Sequence, residues 1–379
     1  MIVKMEMMIK ELGEIITGNT PSKNIEKFWE SDDICFVKPD IISDNCVNIV
    51  SESNEYISEE ARKKTKIVTK DTIFVTCIGS IGKIGIASEG EFAFNQQINA
   101  IIPNAKVNPR YLAYNLLFNR PRLVAIANAP VVPIINKSRF GEISVKIEMD
   151  TDKQLTIVNI LDKLSNIIVK RKQELNVLDD LIKARFVEMF GDPIKNPKGW
   201  KVATIGDVVT EVRYGTSKPA VEGGKYPYIR MNNITSDGHL DLNDLKYIDI
   251  PDDEIEKCVV RKGDVLFNRT NSVELVGKTA FFDLPQDMVI AGYIIRLRLS
   301  EKMLPEVLVQ YMNLEALKKI LRSMAKGAVN QANINAQELQ SIKLYIPDMD
   351  LQKQFIEMKG QIDKSKVLSE THIFYAEKS

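Results

Sequence analysis

The sequence predicts an α+β protein in which two copies of a mixed α/β module with a curved sheet are separated by long helices that form a coiled coil. Three observations lead to this prediction: closely spaced strand-like segments, a weak internal repeat, and a long heptad pattern in the middle of the chain. The 379 residues are enough for two or three domains that each have a hydrophobic core.

Composition excludes several classes of protein. The chain has 51 basic and 51 acidic residues and no net charge, so it is neither a polybasic tail protein nor an acidic disordered one. A DNA-binding surface stays possible, because its field depends on local charges. Four scattered cysteines and two histidines argue against a zinc site or a disulfide framework. With no apolar run long enough to span a membrane and no signal peptide, we expect a cytoplasmic protein.

The internal repeat consists of five short matches that occur in the same order in both halves of the chain. A single match would be chance, but five in order indicate two copies of one module. The matched pairs are residues 11–16 with 204–209, 68–74 with 260–267, 81–83 with 276–278, 136–147 with 335–346, and 154–160 with 352–358.

Each copy begins with a β-rich segment and contains a few helices. Lys66–Val75 and Val259–Asn268 are rich in β-branched and aromatic residues, and Tyr293–Leu299 alternates as a strand does. Short strands at these intervals favour a curved, mixed sheet. The spacing predicts helices at Pro109–Phe118 and Pro305–Met324.

The long central helix is the strongest signal in the sequence. Apolar residues recur at spacings of four and three, which is the pattern of a coiled coil. The seam contains Ile157, Leu161, Leu164, Ile168, Leu175, Leu178, Ile182 and Met189, with Arg171 and Arg185 at its two other positions. We expect a helix from Gln154 to Phe190 that ends at Gly191-Asp192-Pro193. The two arginines either set the register of helix pairing or extend to the surface.

A second helix follows the second copy and has a weaker pattern. Leu351, Phe355, Met358 and Ile362 keep the seam, whereas Ser365 and Ser369 also fall on it. Gly360 interrupts the pattern, and residues 372–375 are β-like. The sequence therefore predicts a helix about half as long as the first.

Residues 163–193 closely resemble the central conserved helix of the specificity subunit of type I restriction–modification systems. Residues 12–22 and 327–334 look like the start and the end of that family's target recognition domains. Copy one departs from the pattern at residues 129–135, where the Gly and Gln of the family are absent. The resemblance implies target recognition domains at 1–150 and 193–349, a central conserved coiled-coil helix at 151–192 and a shortened C-terminal helix at 350–379.

The resemblance also implies a function. Each recognition domain would read half of a bipartite sequence in double-stranded DNA, and two antiparallel helices would hold the domains apart. The chain would carry no cofactor and do no chemistry. Partner methyltransferase subunits would use S-adenosylmethionine to methylate adenine, and partner restriction subunits would use ATP and Mg²⁺. No membrane partner is expected.

Candidate DNA-contacting residues in copy one are polar side chains and glycines in predicted turns. Asn and Gln can bind adenine in bidentate fashion, Lys can bind guanine or phosphate, and glycines allow backbone N–H groups to approach a phosphate. The candidates are Lys38, Gly79, Ser80, Gly82, Lys83, Asn95, Gln96 and Gln97. Residues 62–66, with four basic side chains, either follow the phosphate backbone or form a solvated face.

The candidates in copy two occupy the corresponding turns. Arg269, directly after a strand, is the first choice, because arginine with guanine is the commonest specific contact. Gln331 and Asn333 are either readers or turn caps. The full set is Tyr214, Lys218, Arg230, Asn232, Asn233, Arg269, Thr270, Asn271, Lys278, Gln331 and Asn333.

Two rival functions are open at the sequence level. Asp348, Glu357 and Lys359 fit a loose nuclease pattern that would hold Mg²⁺, although copy one has no counterpart of it. A coiled-coil interaction protein without a DNA role is the other rival. The segment Gly277-Lys278-Thr279 resembles the end of a phosphate-binding loop, but Ser272 stands where that motif needs glycine.

Overall fold

The computed structural model describes residues 4–127, 132–325 and 332–378. The chain divides into two compact units, residues 1–170 and 171–379, and each unit is mixed α/β. Among the described residues, no helix combines the length and the apolar character needed to cross a membrane. All four cysteines carry free thiols.

Unit 1 contains eleven strands within its described residues, and they form three sheets. In sheet order these are β1-β11, β2-β10-β7-β8-β4 and β5-β3-β9-β6. The strands are β1 Lys4–Met8, β2 Gly13–Thr17, β3 Ile34–Val37, β4 Asn48–Val50, β5 Tyr56–Ile57, β6 Ile67–Thr69, β7 Ile73–Thr76, β8 Ile84–Ala87, β9 Glu91–Phe94, β10 Ile98–Pro103 and β11 Ser144–Glu148.

Among its described residues, unit 1 also contains four short helices. They are α1 Ile9–Leu12, α2 Pro109–Phe118, α3 Arg120–Ile126 and α4 Lys137–Gly141, and 3-10 turns lie at Glu26–Phe28, Pro39–Ile41 and Glu59–Lys64. The predicted helix at Pro109–Phe118 is confirmed. Asn108 caps it by accepting the N–H groups of Arg110 and Tyr111, which the first turn leaves without helical partners.

Unit 2 repeats this arrangement of strands. Its sheets have the orders β12-β23, β13-β21-β17-β19, β15-β14-β20-β16 and β18-β22. The strands are β12 Lys201–Thr204, β13 Val209–Tyr214, β14 Tyr226–Ile229, β15 Lys246–Ile248, β16 Val259–Val260, β17 Val265–Asn268, β18 Thr270–Asn271, β19 Thr279–Phe281, β20 Met288–Ile290, β21 Ile294–Leu299, β22 Ala332–Asn333 and β23 Lys343–Ile346.

The two units share one hydrogen-bonding plan, which confirms the repeat. In unit 1, β3 pairs in parallel with β9, and in unit 2, β14 pairs in parallel with β20. The four-stranded orders β2-β10-β7-β8 and β13-β21-β17-β19 correspond strand by strand. Individual backbone hydrogen bonds also recur: Ile9 N–H donates to Ile143 O in unit 1, and Ile205 N–H donates to Ile342 O at the corresponding place in unit 2. The weak sequence matches therefore reflect a duplicated backbone.

Unit 2 has two helices, α8 Pro305–Asn313 and α9 Glu315–Met324, where the sequence predicts one. Its other short helices are α6 Ile205–Val208, α7 Ile255–Cys258 and α10 Ala336–Gln340, with a 3-10 turn at Met231–Asn233. The single helix predicted at Pro305–Met324 is wrong, because Leu314 adopts an extended conformation (ψ 141°). This break lets Tyr311 and Met312 of α8 and Leu317 and Leu321 of α9 enter the same core.

The central helix α5 runs from Thr151 to Phe190 and confirms the heptad prediction. Gly191 ends it in the left-handed region, at φ 90°. Arg171 and Arg185 each pair with a glutamate one turn later, Glu174 and Glu188, and the Arg185 side chain is 49% exposed. In the last turns Phe186 and Phe190 are buried instead, so the apolar face is displaced by one residue from the predicted seam at Arg185.

The second long helix, α11, corrects the sequence prediction. It runs without interruption from Met349 to Lys378, so Gly360 lies inside it and residues 372–375 are helical. Ser369 is buried, as its seam position predicts, whereas Ser365 is exposed and Lys366 is buried in its place. A β-like tetrapeptide becomes helical here because it extends a helix that already packs against a neighbour, and tertiary packing overrides local preference.

Within unit 2, α11 packs antiparallel to the second half of α5. Phe355, in the second turn of α11, contacts Phe186 and Phe190 near the end of α5, with ring centroids 5.3 and 5.4 Å apart. Further along α11, the Lys366 ammonium lies 2.6 Å from Asp179 Oδ1. The later residue of α11 thus meets the earlier residue of α5, as an antiparallel pair requires.

Candidate nucleic-acid interface

A cleft of about 500 Å³ in unit 2 collects polar side chains at the ends of several strands. We call it the unit 2 cleft. Four predicted residues line it: Lys218 after β13, Arg230 and Asn232 after β14, and Arg269 after β17. Its other lining residues are Thr216, Ser217, Pro219, Ala220, Tyr228, Met231, Ala291, Gly292 and Tyr293.

Arg269 is fixed at both its backbone and its side chain. Its N–H donates to Tyr293 O and its carbonyl accepts from Ile334 N–H, each at 2.9 Å. Its guanidinium carbon lies 5.0 Å from the ring centroid of Tyr214, which is the geometry of a cation–π contact. Tyr214 Oη in turn accepts the Ala336 N–H at 2.8 Å. The side chain is therefore held against the aromatic ring.

The other two cations of the unit 2 cleft are paired with carboxylates. Arg230 Nη2 lies 2.8 Å from Asp244 Oδ2, and Lys218 Nζ lies 2.8 Å from Glu254 Oε2. The hydrogen bond from Arg230, followed by that from Lys246, lowers the pKa of the Asp244 carboxyl. Arg269 differs from both, because no described carboxylate forms a salt bridge with it. Its Nε, like that of Arg230, is buried without a hydrogen-bond partner.

A glycine and a tyrosine shape the wall formed by residues 215–220. A Cβ on Gly215 would lie only 2.2 Å from Ile290 O, so this close approach of two backbones needs glycine. The Tyr228 hydroxyl is 3.2 Å from Lys218 O and 3.3 Å from Thr216 O, and it bonds to this wall. Burial raises the pKa of Tyr228 above its ordinary value, which keeps the hydroxyl a donor.

This arrangement suits binding more than chemistry. Arginine, lysine and asparagine side chains present donors and an acceptor that match base edges and phosphates. Over the part of the chain that the structure describes, no three His, Cys, Asp or Glu residues form a group that could hold a metal ion.

Unit 1 has the same backbone frame with different side chains. Cys77 N–H donates to Gln97 O and its carbonyl accepts from Ile135 N–H, so Cys77 corresponds to Arg269 and Gln97 to Tyr293. Lys38 directly precedes the 3-10 turn Pro39–Ile41, as Arg230 directly precedes the 3-10 turn Met231–Asn233 in unit 2. The ammonium of Lys38 is paired with Glu55. Their hydrogen bond raises the pKa of Lys38 and lowers that of Glu55.

A model of the type I restriction modification DNA specificity domain matches residues 3–178 and again residues 197–373. The chain belongs to this family. The two matches correspond to the two structural repeats and account for their common hydrogen-bonding plan.

Relatives and solved structures are consistent with this family. The type I restriction enzyme MjaIX specificity subunit of Methanocaldococcus jannaschii is 28% identical over 251 residues, which cover 60% of this chain and 57% of that protein. The chain thus spans about half the length of the curated relatives it matches. A type I restriction–modification S subunit from M. genitalium has a TM-score of 0.56 at 14% identity, with 99% and 93% of the two chains covered. A structure described for complex assembly of the type I R-M system scores 0.55 at 16% identity and covers 99% and 94%.

In the first DNA specificity domain, the two glycines predicted to contact phosphate use their N–H groups within the fold. The N–H of Gly79 donates to Pro133 O and that of Gly82 donates to Thr76 O, so neither is free to bind a phosphate. Both glycines have φ 75°, which explains their occurrence in this turn. Ser80 is exposed beside them, and Lys83 pairs with Asp44 at 3.2 Å.

The three consecutive amide side chains of the same domain, Asn95, Gln96 and Gln97, differ in burial. Asn95 is buried, donating through Nδ2 to Gln97 Oε1 at 2.8 Å. Gln96 is exposed and accepts the Thr20 hydroxyl at 2.8 Å. Gln96 and Gln97 therefore stay candidates for base contact, whereas Asn95 shapes the turn.

The basic segment 62–66 lies partly in ion pairs. Arg62 Nη2 is 2.5 Å from Glu91 Oε2, and its Nε is 2.6 Å from Glu59 Oε2. The two carboxylates raise the pKa of Arg62. Lys63, Lys64 and Lys66 are exposed, so only these three stay candidates for phosphate contact.

In the second DNA specificity domain, several predicted residues support the turns around the cleft. Lys278 Nζ donates to the carbonyls of Met231 and Ile234, and burial lowers its pKa. Asn233 is buried and accepts Arg230 N–H through Oδ1. These contacts favour structural roles. They also leave Lys278 unavailable to a nucleotide phosphate, which argues against the phosphate-binding loop.

Three further predicted residues of this domain, Thr270, Asn271 and Asn333, lie in the β18–β22 pairing. Thr270 Oγ1 donates to Asn333 Oδ1 at 3.0 Å, and Asn271 accepts Ser272 N–H at 2.9 Å. Gln331 lies outside the described residues. Contact of Thr270, Asn271 or Asn333 with DNA stays a prediction.

Sequence reasoning missed several residues of the unit 2 cleft. Tyr293 is 51% exposed at its mouth, and Thr216 and Gly292 lie beside it. The sequence predicts a strand at Tyr293–Leu299, whereas the strand begins at Ile294 and leaves Tyr293 in the preceding turn. The repeat offered a signal, because Tyr293 corresponds to Gln97, which was a candidate.

The nuclease interpretation is not supported by the geometry. Asp348 immediately precedes α11, and Glu357 lies nine residues further along the chain. That separation places the two side chains on opposite sides of a helix and about 13 Å apart along its axis. Lys359 Nζ binds Asp363 at 2.6 Å instead.

Proposed function

We propose that this chain acts in the cytoplasm as the DNA-recognition subunit of a type I restriction–modification complex. Each of its two DNA specificity domains reads one half of a bipartite sequence in double-stranded DNA. The observation that carries the proposal is the repeated frame with different side chains. Cys77 and Arg269 occupy the same backbone position, as do Gln97 and Tyr293. Two copies of one frame with different side chains suit the reading of two different half-sites.

The proposal includes partner subunits that do the chemistry. Methyltransferase subunits would supply S-adenosylmethionine, and restriction subunits would supply ATP hydrolysis and Mg²⁺-dependent cleavage. Their docking surface on this chain would include the long helices. Supporting this, α5 exposes apolar side chains away from its buried face: Leu155, Ile160, Ile167, Val177, Leu181 and Val187. Exposed apolar residues repeated along a helix are typical of an interaction surface.

The test is to co-express the full chain with the methyltransferase subunit encoded beside it and to map N6-methyladenine across the genome. We expect methylation at one motif that has two defined halves and an unread spacer. The methyltransferase subunit without this chain is the control, and it should give no motif. Methylation without a two-part motif, or none from a co-purified complex, would contradict the proposal.

Binding strength gives a second, independent check. Phosphate contacts release counterions, so the logarithm of the binding constant for the motif must fall linearly with the logarithm of salt concentration. We expect the same slope for an unrelated duplex, with weaker binding at every salt concentration. Equal affinity for both duplexes would argue for a protein that binds DNA without reading it.

A further inference from the structure

We propose that Arg269 reads a guanine in the half-site of unit 2, that Tyr214 positions it, and that unit 1 has no counterpart of this contact. The inference rests on the proposed function, because it names what one part of the DNA interface recognises. It arises from the comparison of the two units at equivalent backbone positions.

Arg269 has the chemistry and the freedom for this contact. The guanidinium fork matches O6 and N7 of guanine, which are both acceptors in the major groove. The side chain lines the unit 2 cleft, and its terminal nitrogens form no hydrogen bond with described residues. The neighbouring cations of the cleft, Lys218 and Arg230, are instead paired with Glu254 and Asp244. Arg269 is thus the cation of the cleft whose fork is available to a base.

Tyr214 restricts the orientation of that fork. Its ring lies 5.0 Å from the guanidinium carbon, and its hydroxyl accepts the Ala336 N–H at 2.8 Å. Ala336 begins α10, so the ring is anchored to a helix that packs in the core through Leu339. A planar cation held on an anchored ring loses less conformational entropy on binding a base than a free arginine does. Tyr214 acts through Arg269 and is a positioning residue.

Unit 1 differs at the decisive position. Cys77 has the backbone bonds of Arg269, but its side chain is 2% exposed. Burial raises the pKa of its thiol to about 12, so it stays a neutral, weak donor. The Tyr214 position is Thr17, the residue before the corresponding glycine, and its hydroxyl donates to Asn99 Oδ1 at 2.7 Å. The arginine–tyrosine pair is therefore specific to unit 2.

The experiment uses the complex of the full chain with its methyltransferase subunit and competing duplexes. Each duplex carries the two-part motif with one guanine changed. For the wild type, we expect replacement of the guanine that Arg269 reads, which lies in the half-site of unit 2, to weaken binding about 5- to 150-fold. R269Q should abolish that preference or turn it toward adenine, because glutamine pairs with adenine. The other positions of the motif should keep their preferences.

Three variants separate positioning from a merely structural effect. Y214L should reduce discrimination at that guanine and leave the salt dependence of binding unchanged, whereas Y214F, which keeps the ring, should retain most of it. R261Q is the matched control, since Arg261 pairs with Glu256 and Asp287 and does not line the cleft. It should change no base preference.

The outcomes distinguish this inference from the proposed function. A two-part motif that R269Q leaves unchanged at every guanine would overturn the role of Arg269 and leave the proposed function intact. Equal loss of affinity for all duplexes in Y214L would overturn the positioning role. A wild-type complex without sequence preference would overturn both proposals.

Discussion

The ammonium of Lys366 on α11 lies 2.6 Å from Oδ1 of Asp179 on α5, and the lysine is 7% exposed. A buried charge of this kind depends on its partner, because it has left water. Lys366 lies beside the predicted seam position Ser365, which is exposed. Together with the aromatic contacts of Phe355, the pair joins the two helices within unit 2.

Removing one member of this pair should destabilise unit 2. We expect K366A or D179N to lower the free energy of unfolding by about 1–3 kcal/mol, a reduced value because Asp179 is partly exposed. K366M combined with D179L should recover most of the loss. Urea unfolding of the full chain, followed by circular dichroism, measures both. Additive losses in the double variant would contradict the coupling.

The same pair should make stability depend on alkaline pH. Burial lowers the pKa of Lys366, but the hydrogen bond to Asp179 and the nearby carboxylates outweigh it and raise the pKa above its ordinary value. The stabilisation is fully present below the ordinary lysine pKa of about 10.4 and is lost as pH rises through the folded value. The difference between wild type and K366A should shrink there, and a constant difference would contradict this.

Phe355 should be the most sensitive position of the helix pair. It is fully buried between Phe186 and Phe190, and F355A leaves a cavity that costs about 3–5 kcal/mol. The matched control is F118A in unit 1, where the ring is 85% exposed and the expected change is within about 0.5 kcal/mol. Thermal unfolding of both variants provides the comparison. Similar melting temperatures would mean that the aromatic cluster is not part of the core.

The Tyr345 hydroxyl should link the end of α5 to β23. It donates to Gly191 O at 3.0 Å, and burial raises its pKa to about 12. Y345F should cost about 1–2 kcal/mol, because the carbonyl loses its partner. In the wild type this stabilisation is present below pH 10 and is lost as pH rises through about 12. Ultraviolet difference titration should lose one late-titrating tyrosine in Y345F, and an unchanged titration would argue against the assignment.

The length of α5 should set the unread spacer of the DNA motif. Inserting one heptad between Leu164 and Leu178 adds about 10 Å of helix and keeps the heptad phase. We expect a changed spacer with both half-sites unchanged, as measured by mapping methylated adenines. A four-residue insertion, which rotates the seam, is the control and should abolish activity. A change in either half-site would contradict separate reading by the two domains.

Patterns that depend on neighbours along the chain could be interpreted from the sequence. The heptads predicted the position of α5 to within a turn, Gly191-Asp192-Pro193 predicted its end, and the repeat predicted two modules. The wrong predictions of secondary structure also come from patterns over a few neighbouring residues. Residues 372–375 look like a strand in isolation, and Leu314 carries no signal for the break between α8 and α9.

The candidate site shows a second kind of information that the sequence does not carry, namely which polar side chains bind within the fold. Lys278 and Arg269 are nine residues apart, and the sequence predicts both as DNA contacts. The fold binds the first to the carbonyls of Met231 and Ile234 and places the second over Tyr214 in an open cleft. Whether a cation is hydrogen-bonded within the fold or available to a ligand depends on partners tens of residues away. Patterns in a single sequence carry no such information.

By itself, then, the amino-acid sequence determined that this protein is a duplicated α+β chain with a long seam-forming helix, because periodicity and internal similarity are properties of the chain. Only the tertiary structure decided which polar residues share a cleft, that Lys366 and not Ser365 is buried on α11, and that Gly79 and Gly82 give their amides to the fold. The physical reason is that hydrogen bonds and ion pairs form between distant segments, and packing alone brings those segments together.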